Sequence, residues 1–132
     1  MWIMKTEIGL LILRVVVGIT FLIHGMDKFN GGIDGTVTMF EGMGFPGFLA
    51  YLVTFAEILG GLALILGLFT RVVSIIFAAI MVTAIFQVKA DGGFLGGFEL
   101  DLVLLACSIL LALSSSRLVA LNRVLPGALK NM

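Results

Sequence analysis

The stretch Ile8–Met26, IGLLILRVVVGITFLIHGM, runs nineteen residues with Arg14 as its only formal charge. At about 1.5 Å per residue, a helix of that length crosses most of a bilayer core of about 30 Å. Three more apolar runs follow: Phe48–Phe69, interrupted only by Glu57, then Val72–Val88, then Phe98–Ser116, which opens with Glu99 and Asp101. The pattern predicts an all-α chain forming one domain over residues 1–132, a four-helix transmembrane bundle with spans over 8–28, 48–69, 72–88 and 98–116. Between the first two spans, Thr36–Gly42 reads as a short interfacial helix in the first outer loop, after which Pro46 restarts the chain.

Composition points the same way. Hydrophobic residues make up 61% of the 132-residue chain and charged residues 12%, with a mean hydropathy of +1.23. A soluble domain carries about 25% charged residues, so a water-soluble globule is excluded first. Eight Lys+Arg balance eight Asp+Glu, which leaves no basic field to attract nucleic acid. A signal peptide needs a basic start and a small-residue cleavage site, whereas Glu7 here offsets Lys5 and the run ends in His24-Gly25-Met26-Asp27-Lys28, so the first span is expected to be retained. Cys107 is the only cysteine, sits in an apolar run, and reads as packing.

Loop chemistry orients the spans. Lys5, Arg71, Arg117, Arg123 and Lys130 fall in the two termini and the 70–71 turn, against Lys28 and Lys89 in the other two loops. Positive-inside reasoning then puts both termini in the cytoplasm and gathers Asp27, Asp34, Glu41, Asp91, Glu99 and Asp101 at the outer end.

Arg14 and Glu57 are the intramembrane charges, and an uncompensated charge at such depth costs about 2.5–3.5 kcal/mol. The simplest expectation is that they pair with each other, either to fix helix register or to support chemistry. Arg14, Gly18, Phe21, His24, Gly25 and Lys28 share one side of the first span by their three- and four-residue spacing, and this side should face inward. Gln87 from the third span and Glu99 with Asp101 from the fourth reach a similar depth, so a polar cup is expected at the outer end, with His24, Lys28, Glu57 and Gln87 lining one cavity. In the second span Ala56, Gly60, Ala63 and Gly67 form a small-residue stripe suited to close helix packing.

Gly42-Met43-Gly44-Phe45-Pro46-Gly47 fits G-x-G-x-x-G, but a span follows it and no strand precedes it, so a dinucleotide site is not expected. One histidine and one distant cysteine cannot assemble a zinc site, and one histidine cannot supply both axial ligands of a haem, so neither metal nor haem is expected.

The spacing Arg14-x-x-x-Gly18-x-x-Phe21-x-x-His24-Gly25-x-x-Lys28, followed by Glu57-x-x-Gly60-Gly61-x-x-Leu64-x-x-Gly67-x-x-Thr70-Arg71, resembles the DoxX family of bacterial membrane proteins over nearly the whole chain. Within that family it looks most like small oxidoreductases linked to catechol and quinone stress. The resemblance implies a multi-pass protein of the bacterial inner (plasma) membrane, surrounded by lipid, with a quinone or catechol-like ring as its small molecule. It also implies a redox partner subunit or a homo-oligomer. In that reading His24 and Lys28 donate to a ring oxygen, Glu57 carries a proton and Arg14 anchors it electrostatically. Gln87 and Glu99 belong to the binding cup, and Phe21, Phe55 and Phe86 contact the ring. Two other classes fit the same residues: a small-molecule transporter or permeation protein, and a membrane scaffold subunit without catalysis.

Overall fold

The computed structural model describes residues 2–88 and 93–114. All regular structure among them is helical: α1 (Trp2–Asn30), α2 (Ile33–Gly42), α3 (Phe48–Leu66), α4 (Thr70–Thr83) and α5 (Glu99–Ser114), with π-helical turns over Ala84–Val88 and Phe94–Phe98. Two of the helices, over Met4–Asn30 and Phe48–Leu66, are long and apolar enough to cross a membrane, while Thr70–Phe86 is a shorter apolar helix. Lys89, Asp91, Arg117, Arg123 and Lys130, and the end of the expected fourth span, lie outside the described residues.

Each long helix turns one face inward at steps of three and four residues. These faces are Arg14, Val17, Phe21 and Gly25 on α1, Ala50, Thr54, Glu57, Gly61 and Leu64 on α3, Thr70, Ser74, Phe77 and Met81 on α4, and Asp101, Leu104, Ser108 and Leu111 on α5. The opposite faces are apolar and exposed, with Ile12, Val16, Ile19 and Ile23 on α1 and Leu52, Phe55, Leu59 and Leu66 on α3. This is the reverse of a water-soluble helix, whose polar face looks outward. Packing runs α1 on α3, α3 on α4, α4 on α5 and α5 back on α1. At the centre the Phe21 and Phe77 rings stack with centroids 3.7 Å apart, surrounded by Val17, Leu64, Met81, Leu104 and Leu111. Cys107 packs against this core as a small hydrophobe.

Glycines set the α1–α3 contact. A Cβ on Gly18 would lie 2.7 Å from the Gly61 carbonyl oxygen, and one on Gly61 would lie 2.6 Å from that of Gly18. Gly25 in turn sits against Glu57 and Ile58. The stripe expected from Ala56, Gly60, Ala63 and Gly67 is therefore divided in function: Gly61, on the neighbouring strip, makes the close approach to α1, while Gly60 leaves room for the Phe77 ring. Gly67 ends α3 at φ 74°, with its N–H donating to the Leu64 carbonyl and the Leu68 N–H to that of Ala63. That is a Schellman motif, which needs the left-handed conformation glycine supplies without strain.

Candidate functional site

The glycine contacts fix which residues of α1 and α3 share a level. Gly18 meets Gly61 and Ile65, and Gly25 meets Glu57 and Ile58, so the antiparallel register puts Arg14 level with Gly67 and Leu68, at the far end of α3 from Glu57. Eleven residues separate Arg14 from Gly25, an axial offset of ~16 Å, too far for the two side chains to bridge. The expected Arg14–Glu57 pair is thus corrected. Glu57 pairs with Lys28, Nζ to Oε1 at 2.5 Å, because Lys28 is one turn beyond Gly25 and its stem reaches back along α3. Glu57 is 2% exposed and Lys28 29%, so the carboxylate lies inside while the ammonium sits at the rim. Arg14 is fully buried near the end where α3 presents its terminal carbonyls, a place that favours a cation, and Glu7, two turns earlier on α1, is the carboxylate whose charge acts on it.

Beside the Lys28–Glu57 pair lies a cavity of about 540 Å³. Every helix contributes to its wall: Phe21, His24 and Lys28 from α1, Met39 and Phe40 from α2, Leu49, Val53 and Glu57 from α3, Ile76, Ile80 and Met81 from α4, Asp101 and Leu104 from α5. Met43 and Phe45, in the Gly42–Gly47 link, complete it next to α2. A mostly apolar pocket of this size with a few convergent polar groups is the general form of a small-molecule site.

The structure brings together five of the residues singled out from sequence: His24, Lys28, Glu57, Phe21 and Asp101. Arg14 is absent from the cavity wall, for the register reason above. Phe55 and Phe86 are exposed at 45% and 72% and point away from the cavity, since neither shares the inward face of its helix. Glu99 is half-buried and off the wall, while Asp101, two residues along and so on the other side of α5, is 5% exposed and lines it. Gln87 belongs to the π-helical turn after α4, and its side chain lies outside the described residues. Of the two acids expected in the cup from the fourth span, Asp101 therefore reaches the cavity and Glu99 does not. Nothing local in the sequence shows α2 folding over the cavity mouth.

Chemically, the site offers a buried carboxylate oxygen, Glu57 Oε2, that accepts no hydrogen bond, a second carboxylate in the cavity wall, an ammonium and an imidazole. Such groups can hold and move protons at a ring oxygen. The DoxX family model matches residues 9–90, the segment that carries Arg14, His24, Lys28 and Glu57. The chain belongs to the DoxX family. This DoxX chain is 45% identical over 116 residues to the protein named Putative oxidoreductase CatD of Bacillus subtilis (strain 168), covering 88% of the chain and 86% of that protein. It is also 38% identical over 72 residues to Inner membrane protein YqjF of Escherichia coli (strain K12), covering 54% of the chain and 55% of that protein. No solved structure matches the chain significantly.

Proposed function

We propose that this DoxX protein is an integral membrane component of a bacterial oxidoreductase, in which the four long helices form a transmembrane bundle with cytoplasmic termini and the cavity binds a quinone- or catechol-like ring. The observation that carries the reading is the Lys28–Glu57 ion pair, its carboxylate buried and its ammonium at the rim, in the wall of a mostly apolar cavity of about 540 Å³. An outward-facing apolar surface with charges inside suits lipid as the solvent, and intramembrane ionisable residues mark functional paths. The names of the two relatives, one an oxidoreductase and one an inner membrane protein, support the same assignment.

The residues suit a ring of that kind. Glu57 Oε2 is a buried acceptor in want of a donor, Lys28 has ammonium hydrogens beyond the one given to Glu57, and Phe21, stacked on Phe77, lines the cavity. A bound quinone supplies two-electron, two-proton carbonyl chemistry. Lys28 and His24 orient a ring oxygen, Glu57 holds or releases a proton there, and the methionines and phenylalanines of α2 and the following link keep water out. Electrons come from or go to a partner subunit.

Membrane vesicles containing the protein and its partner test this directly. Quinone-dependent turnover should fall by at least tenfold in Glu57→Gln, with the protein still folded. Unchanged turnover in Glu57→Gln and in His24→Ala would leave the cavity a structural feature and the protein a scaffold. Protein-dependent solute flux without redox change would make it a permeation protein.

A further inference from the structure

The cavity wall contains residues of two kinds. Phe21, Glu57, Met81 and Leu104 line it at 7% exposure or less, so facing this space does not by itself expose a side chain. Ile76, Ala79 and Thr83 line it too, yet all three are exposed, Ile76 at 43%. They repeat at three and four residues, so a single stripe of α4 is at once cavity wall and outer surface. It can be both only where the cavity opens beside it. Across that opening stand Leu49 and Val53, half-buried residues two turns and one turn before Glu57 on α3. Near their connecting turn the two helices close together, where Gly60 receives the Phe77 ring and the Val73 side chain, so the opening lies beyond that contact, toward the Lys28 end. The Thr83 hydroxyl donates to the Ala79 carbonyl and keeps its hydrogen within the helix. Leu52 and Leu59 on α3 and Ile75 and Val82 on α4 make the outer surfaces of both helices apolar. Met39, Phe40, Met43 and Phe45 of α2 and its link cover the cavity elsewhere; the exposed α4 stripe has no such cover among the described residues.

Resting on the reading of a membrane bundle with a ring-binding cavity, we propose that this opening is a lateral slot for an alkyl tail. The ligand is a neutral ring carrying a long apolar chain, with the ring beside Lys28 and Glu57 and the chain leaving between α3 and α4 into the lipid. The slot opens onto hydrocarbon, so the ring enters and leaves without crossing water. A water-soluble ring has no use for such an exit. A phospholipid has a suitable tail but an anionic head, and the charge of Lys28 is already matched by Glu57, whose Oε2 is a buried acceptor without a donor. A phosphate at that place meets a like charge in an apolar wall, whereas a ring with oxygen substituents brings no net charge. The tail gains no hydrophobic energy from the slot, because lipid is as apolar as the side chains that line it. What the slot contributes is room: it admits a tailed ring that a closed cavity of the same size would exclude.

The test compares tetramethyl-benzoquinone with its analogue in which one methyl is replaced by a decyl chain, both fully substituted and so unable to add to Cys107. Binding to the full chain is measured in phosphatidylcholine nanodiscs, with affinities expressed per mole fraction in the bilayer so that partitioning cancels. The decyl compound should bind no more than about threefold more weakly than the tailless one. Ala79→Trp, which fills the slot from α4, should lower the ratio of tailed to tailless affinity by at least about tenfold. Thr83→Phe, one turn along the same stripe, repeats the test should Ala79→Trp fail to fold. A decyl compound rejected by the unaltered protein, or a ratio that filling the slot leaves in place, would overturn the slot while the ring site stands. Absence of binding by both compounds would overturn the ring site itself.

Discussion

Removing Lys28 and removing Glu57 should have unequal effects, because the two ends of the ion pair are unequally buried. In Lys28→Met the carboxylate at 2% exposure loses its counter-charge inside an apolar wall. Breaking a buried pair from that side costs about 3–5 kcal/mol. In Glu57→Gln the amide keeps the shape and the ammonium, 29% exposed, can extend to the rim, so the loss should be about 1 kcal/mol. The double variant has no stranded charge and should lie close to Glu57→Gln alone, which implies a coupling of about 3–5 kcal/mol between the sites. Arg14 provides the internal control. Its level on α1 is ~16 Å from that of Glu57, beyond the range of about 7–10 Å over which substitutions couple, so Arg14→Met and Glu57→Gln should add. The assay is unfolding in mixed micelles titrated with sodium dodecyl sulfate and followed by circular dichroism. Additive effects of the 28 and 57 substitutions, or strong coupling between 14 and 57, would refute the register on which the site is built.

Other expectations follow from the packing. Gly61→Ala should destabilise by about 1–3 kcal/mol in the same unfolding assay, because the new Cβ would sit 2.6 Å from the Gly18 carbonyl oxygen and α1 must move away; Gly9→Ala, with open space around it, should stay within about 0.5 kcal/mol. Gly67→Ala should lose about 1–2 kcal/mol, since alanine is strained at φ 74°, and Gly67→Asn should recover part of that loss. Phe21→Ala should weaken binding of a tetramethyl-benzoquinone probe by at least about tenfold, whereas Phe55→Ala and Phe86→Ala, on outward faces, should leave the measured affinity unchanged.

The sequence by itself determined the helices and their inner faces. Apolar runs bounded by glycine and polar turns mark where helices form, and repeats of three and four residues mark which side chains share a face; both are properties of a single helix and so are legible without the fold. That reasoning brought His24, Lys28 and Phe21 to one side of α1 and singled out Glu57 as the charge of α3. Tertiary structure decided which charges meet. The sliding position of α3 along α1 is fixed by the mutual contact of Gly18 with Gly61 and of Gly25 with Glu57 and Ile58. No count along one helix reveals that register, and a shift of three turns would be needed to give Glu57 to Arg14 instead of Lys28. The choice of Asp101 over Glu99 depends likewise on the rotation of α5 against α4, and the cover over the cavity on where α2 comes to rest. These are relations between helices, set by close packing at a few small residues, and they exist only once the chain has folded.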